Sequence, residues 1–170
     1  MTVQEQQQVF TKWLTLHKAL IFKIVRAYAN TAMDRDDLFQ EITIQVWRSI
    51  PAFREESAVT TWIYRVALNI AIRWVSKEQK HRTANPIMDN VPEILSPPDI
   101  PTDEQLNWLY ETIHQMDEID RSITLLLLDD FSYKEMAAIL GISISHVGVK
   151  INRIKKQLII QSKKFIENGI

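Results

Sequence analysis

Apolar residues recur at helical spacing through most of the chain. Phe10, Trp13, Leu14, His17, Leu20, Ile21, Ile24, Val25 and Tyr28 fall on one stripe of a long first helix. His17 lies within that stripe and reads as a packed histidine rather than a ligand. The spacing predicts a second helix from near Asp34 to about Ile50, with Leu38, Ile42, Val46 and Ile50 inward and Pro51 ending it. A polar loop follows from Phe53 to Thr60. A third helix is predicted from about Thr61 to His81, with Ile63, Val66, Ala67, Ile70 and Trp74 on its apolar face. The period then breaks. Five of the six prolines fall between Pro86 and Pro101, so Asn85–Pro101 reads as an extended linker. Beyond it, Thr102 and Gln105 form a capping-box pair that starts a helix to about Met116, and Asp120 opens another to about Asp130.

The last stretch has the strongest local grammar. Ser132 and Glu135 make a second capping box, Gly141 follows the last apolar residue Leu140 where a left-handed cap is wanted, and Ser143 can cap the next helix. Val147, Ile151, Ile154 and Leu158 then form one buried stripe. Ala137 is small where the two helices would cross. From Met136 to Ile166 there is no acid, against six Lys and Arg. A helix-turn-helix whose second helix is purely cationic suits duplex DNA, the second helix entering the major groove. Ser145, His146, Val149, Asn152, Arg153 and Lys156 lie off the buried stripe and would face it. A basic, solvated helix in an ordinary bundle is the plainer reading. Gly148, inside that helix, admits either a close approach to DNA or tight packing.

Composition narrows the class. Of 170 residues 46% are hydrophobic, enough to bury a core. There are three glycines, none before Gly141, and the long helical periods point to an all-α protein with two small helical domains. With no cysteine, disulfides and thiolate metal sites are excluded. No signal-peptide pattern opens the chain, and the apolar run Ile123–Leu128 is too short to span a bilayer, so no membrane insertion and a cytoplasmic location are expected. The net charge of −1 hides a pattern: residues 1–85 carry 12 basic and 8 acidic side chains, 86–130 carry 1 and 11, and 131–170 carry 7 and 2. Two basic blocks flank an acidic middle, which suggests two nucleic-acid-facing surfaces.

One of those surfaces is visible in the third helix. Arg65, Asn69, Arg73, Lys77 and Lys80 repeat at steps of four, four, four and three. Arg and Lys supply phosphate contacts, and an amide among them can read a base edge. A solvated polar face is the alternative.

Three motifs, in order, resemble the sigma-70 family of bacterial transcription initiation factors, in particular its extracytoplasmic-function group. They are Asp36-Asp-Leu-Phe-Gln-Glu41 with Trp47; Phe53-Arg54 with Thr61-Trp-Ile-Tyr-Arg-Val-Ala-Leu-Asn69; and Tyr133-Lys-Glu-Met-Ala-Ala-Ile-Leu-Gly-Ile-Ser143 with Val147 and Lys150. The resemblance covers nearly the whole chain. It implies region 2 over residues 1–84, a linker over 85–101 and region 4 over 102–170. It implies that Asp37, Leu38, Phe39, Gln40 and Glu41 bind the clamp coiled coil of the largest polymerase subunit. The same acids could simply favour the positive end of a helix dipole. Arg54, Ser57, Arg65, Asn69, Arg73 and Lys77 match the part that captures the −10 element, where a base leaves the stack. The helix-turn-helix, residues 133–152, matches the reader of the −35 element. The further partners implied are the flap of the second-largest subunit, promoter DNA and an anti-sigma protein. No cofactor and no catalytic residue are implied.

Two departures stand out: Met116-Asp117 where the family often has Leu-Pro, and Ser145-His146 where it often has Gly-Thr. The second alters the groove-facing surface, so no promoter sequence carries over. A stand-alone helix-turn-helix regulator with a sensing or dimerising N-terminal module remains an alternative. So, more remotely, does an enzyme with a hard-metal site at Asp34, Asp36, Asp37 and Glu41.

Overall fold

The computed structural model describes residues 1–84 and 103–168, with side chains given to residue 78 in the first stretch. The chain divides into two compact units, Met1–Pro98 and Asp99–Ile170. Every regular element among the described residues is helical. The expected linker 85–101 and the cap at Thr102 lie outside the described residues, as does the side chain of Lys80.

In the first unit, α1 spans Val3–Tyr28. It opens on a capping box: the Thr2 hydroxyl accepts from the Glu5 backbone N–H, and the Glu5 carboxylate accepts from the Thr2 N–H at 2.6 Å. The Thr2 backbone N–H first, and the Thr2 hydroxyl second, hold the Glu5 carboxyl below its ordinary value. Trp13, Leu20, Ile21, Ile24, Val25 and Tyr28 are buried, while Phe10, Leu14 and His17 sit half-buried at the rim. Burial pushes the His17 imidazole below its usual value.

Helix α2 spans Ala32–Ser49 and begins two residues before Asp34. The Thr31 hydroxyl accepts from the Asp34 N–H at 3.1 Å, so the cap lies upstream of the acids. Pro51 sits in the first turn of a short 3-10 turn, Ile50–Ala52, which extends the helix before the chain leaves. Helix α3 spans Val59–Ala84. It packs against both α1 and α2, and so buries a broader face than one stripe: Ile63, Tyr64, Ala67, Leu68, Ala71, Trp74 and Val75. Val66 and Ile70, expected inward, are only half-buried.

In the second unit, α4 spans Glu104–His114 and is capped by Asp103, whose carboxylate accepts from the Gln105 N–H at 3.0 Å. Helix α5 spans Glu118–Leu128. Its start was expected at Asp120, but Asp117 is the cap, accepting from the Asp120 N–H at 2.8 Å. Asp120 lies within the helix and is buried. Arg121 donates to the carbonyls of Met116 and His114 at 3.0 and 2.8 Å, satisfying the C-terminal end of α4.

Helix α6 spans Tyr133–Leu140, with the Ser132–Glu135 capping box in place and Gly141 at φ 69°, the left-handed cap. Helix α7 spans Ile144–Asn168. The Ser143 hydroxyl accepts from the His146 N–H at 3.1 Å. Val147, Ile151 and Ile154 are buried as the spacing predicts, while Leu158 is half-buried.

Gly148 lies inside α7. A Cβ there would meet only the Tyr133 ring, at 3.8 Å, an ordinary contact. Gly148→Ala is therefore expected to stabilise the chain by roughly 1 kcal/mol, the helix-propensity difference. Urea denaturation of the full chain measures it, and no gain would mean the glycine backbone serves something other than helix packing.

Candidate nucleic-acid and partner interfaces

The first surface is on α2. Asp37, Gln40 and Glu41 are exposed. Phe39 is half-buried and stacks on Phe22 of α1, with centroids 4.8 Å apart and planes at 14°. Lys18 places its Nζ 5.5 Å from the Phe22 ring centroid. Leu38 does not belong to this surface. It is 0% exposed and packs inward with Ile42 and Val46, because each step along the helix turns by about 100° and carries its chain neighbours off the buried stripe. Sequence reasoning passed over Phe22, which is 48% exposed. The available signal was an aromatic standing one residue off the buried stripe of α1.

The second surface combines the 53–58 loop with α3. Phe53 sits between two indoles, edge-on to Trp13 at 5.1 Å and to Trp62 at 5.4 Å. Trp62 Nε1 donates to the Ser49 hydroxyl at 3.1 Å, which ties α3 back to the end of α2. Glu55 holds φ 59°, left-handed for a residue that carries a Cβ. These constraints shape a pocket of about 200 Å³ lined by Ala52, Phe53, Arg54, Glu56, Ser57, Trp62 and Arg65. An aromatic wall, a hydroxyl and two guanidinium groups suit a flat, hydrogen-bonding heterocycle attached to phosphate. Arg54, Ser57 and Arg65 are thus brought together. Asn69, Arg73 and Lys77 continue from the pocket along α3 as an exposed strip, outside its walls.

The third surface is the helix-turn-helix. Ser145, His146, Val149, Asn152, Arg153 and Lys156 are all exposed, and Val149 is 60% exposed although apolar. Lys155 is exposed too. Lys150 is the exception among the cations of this stretch. Its Nζ donates to Asp120 Oδ1 at 2.7 Å and stands 4.0 Å from Asp117 Oδ2. Counting cations along the helix does not reveal this partner, which comes from α5.

Among the described residues, no group of three or more His, Cys, Asp or Glu side chains is placed to hold a metal ion, so Asp34, Asp36, Asp37 and Glu41 do not converge. Among them, too, no helix is long and apolar enough to cross a membrane.

Comparison with known proteins gives a consistent result. The family profile described as Sigma-70 region 2 matches residues 13–81, and that described as Sigma-70, region 4 matches 106–158. The chain is 31% identical over 137 residues to the ECF RNA polymerase sigma-E factor of Haemophilus influenzae, covering 74% of this chain and 72% of the relative. It is 27% identical over 164 residues to the ECF RNA polymerase sigma-E factor of Escherichia coli strain K12, covering 89% and 85%. Among solved structures, the fold is similar to that of the sigma factor RpoE, crystallised with the anti-sigma factor NepR from Bartonella quintana, with a TM-score of 0.72 at 19% identity over 92% of this chain and 98% of that one. It is also similar to CnrH in complex with the cytosolic domain of CnrY, with a TM-score of 0.65 at 18% identity over 95% and 90%. With both of its helical units matched in order, the chain belongs to the sigma-70 family, in its extracytoplasmic-function group.

Proposed function

We propose that this chain is a promoter-specificity subunit: it binds core RNA polymerase, directs it to promoters through −10 and −35 contacts, and carries out no catalysis of its own. The observation that carries the reading is the pairing, in one chain, of a pocketed cationic helix in the first unit with a helix-turn-helix in the second. A stand-alone regulator needs only the second of these. The functional borders follow as region 2 over residues 1–84, a linker over 85–101 and region 4 over 102–170. Such a factor works where polymerase works, in the cytoplasm.

The roles divide by surface. Asp37, Phe39, Gln40 and Glu41 dock on the clamp coiled coil, an exposed polar set around a half-buried aromatic. The pocket takes an unstacked −10 base, with Arg54, Ser57 and Arg65 at its walls, while Asn69, Arg73 and Lys77 follow the strand. Ser145, His146, Val149, Asn152, Arg153 and Lys156 face the −35 major groove, where side chains distinguish all four base pairs. Region 4 also docks on the flap of the second-largest subunit. The solved sigma factor RpoE is bound to an anti-sigma factor, and CnrH to the cytosolic domain of CnrY. Control of the same kind fits the exposed surfaces here.

Three outcomes test the division. Asp37→Ala with Gln40→Ala should weaken binding to core polymerase roughly tenfold, the scale of a modest interface hot spot, with helix content intact. A double mutant that competes normally for core enzyme would remove α2 from the interface.

Asn69→Ala should reduce open-complex formation about tenfold, the loss of one base-edge contact, while core binding is spared. Permanganate footprinting of the −10 region reads this. Full opening with unchanged base preference would leave Asn69 a surface amide.

Lys156→Ala should lower the log–log salt slope of holoenzyme binding to promoter duplex by about 0.9, one phosphate contact. An unchanged slope would take Lys156 out of the contact set.

A further inference from the structure

We propose that the Asp120–Lys150 ion pair is a positioning pair for base readout: it sets the rotation of α7 about its own axis. The inference rests on the reading of α7 as the −35 helix. Val147, Ile151 and Ile154 hold α7 against the rest of the unit. Burial is non-directional, so an aliphatic stripe specifies a helix's rotation less sharply than a charge-assisted hydrogen bond does. The ion pair is directional. Lys150 Nζ meets Asp120 Oδ1 at 2.7 Å, and the two side chains are 12% and 9% exposed. Asp117 Oδ2 stands 4.0 Å from the same Nζ.

Both acids belong to the same helix start. Asp117 is the N-cap of α5 and accepts from the Asp120 N–H, so one rigid helix start presents both acids to Lys150. Lys150 lies between Val149 and Asn152 in sequence, the stretch whose exposed side chains face the groove. An α-helix is about 10–12 Å across with its side chains, so a 20° turn moves its tips by roughly 2 Å. Functional contacts need to be held within about 0.5 Å and 10–20°. A small rotation of α7 is therefore enough to misplace base contacts.

Stability alone does not account for the pair. A buried ion pair replaced by apolar residues of similar size is often neutral or better for stability, and registry is the best-attested use of such groups. The pairing also turns Lys150 inward, so it is not one of the phosphate-binding cations.

The test uses the full chain assembled with core RNA polymerase. Probes are duplexes that the wild-type holoenzyme selects from a library randomised across the −35 region, and the same duplexes with one base pair changed. The variant is Asp120→Leu with Lys150→Met. It is expected to melt at or above the wild-type temperature and keep the wild-type salt slope. Its preference for selected over altered duplex should fall about tenfold, the worth of one lost bidentate contact. Should this variant not fold, Asp120→Ala with Lys150→Met takes its place under the same criteria of salt slope and base preference.

Unchanged preference in a folded variant overturns the proposal, since the pair would then serve packing only. A salt slope lower by about 0.9 overturns it differently, by showing that Lys150 contacts phosphate. If wild-type holoenzyme enriches no sequence at −35, the reading of α7 as the base-reading helix fails first, and the proposal with it.

Discussion

A helix fixes all its faces at once, so burying one stripe decides where every other side chain can point. In α2, burial of Leu38, Ile42 and Val46 turns Asp37, Gln40 and Glu41 to solvent. In α3, the broad face from Ile63 to Val75 leaves one narrow outer strip, and Asn69, Arg73 and Lys77 occupy it. In α7, burial of Val147, Ile151 and Ile154 chooses the outward side on which Asn152, Arg153 and Lys156 stand, and the Asp120–Lys150 pair narrows the rotation within it. None of the three surfaces is built separately from the core behind it.

The parts of this that could be read from the sequence were those set by near neighbours. The Ser132–Glu135 box, the left-handed Gly141 and the Ser143 cap all act within four residues, and each is where the spacing puts it. Errors arise where a local pattern has two solutions or a distant partner decides. Asp117 and Asp120 are both acids able to cap, and only the folded helix shows that one caps while the other is buried against Lys150, thirty positions away. Leu38 looked like part of an exposed motif because motif residues are contiguous in sequence, whereas a helix scatters neighbours 100° apart. The inward set of α3 was drawn too narrow, since spacing along one helix does not say how many partners cover it. The pocket was legible only as a loop with basic residues near it. Its walls depend on Phe53 meeting Trp13, forty residues upstream, and Trp62 on the next helix.

Charge is partitioned by task inside the second unit. Three of its acids serve helix starts: Asp103 caps α4, Asp117 caps α5 and Glu135 closes the box on α6. There they meet the positive ends of helix dipoles. Helix α7 has no acid in its first turn or anywhere before Glu167. A chain with net charge −1 can thus still present a cationic face, because no carboxylate lies on α7 before Glu167.

The left-handed backbone at Glu55 has a kinetic consequence. A residue with a Cβ held there costs roughly 1–2 kcal/mol, so the surrounding contacts must over-determine the loop. With Phe53 wedged between two indoles, the pocket wall is already in shape before any nucleotide arrives. Under the proposed reading of this pocket, little conformational entropy remains to be lost when a base enters. The slow event in capture would then belong to the DNA, as the breathing of a base from its stack, and promoters whose −10 steps unstack easily would be opened fastest.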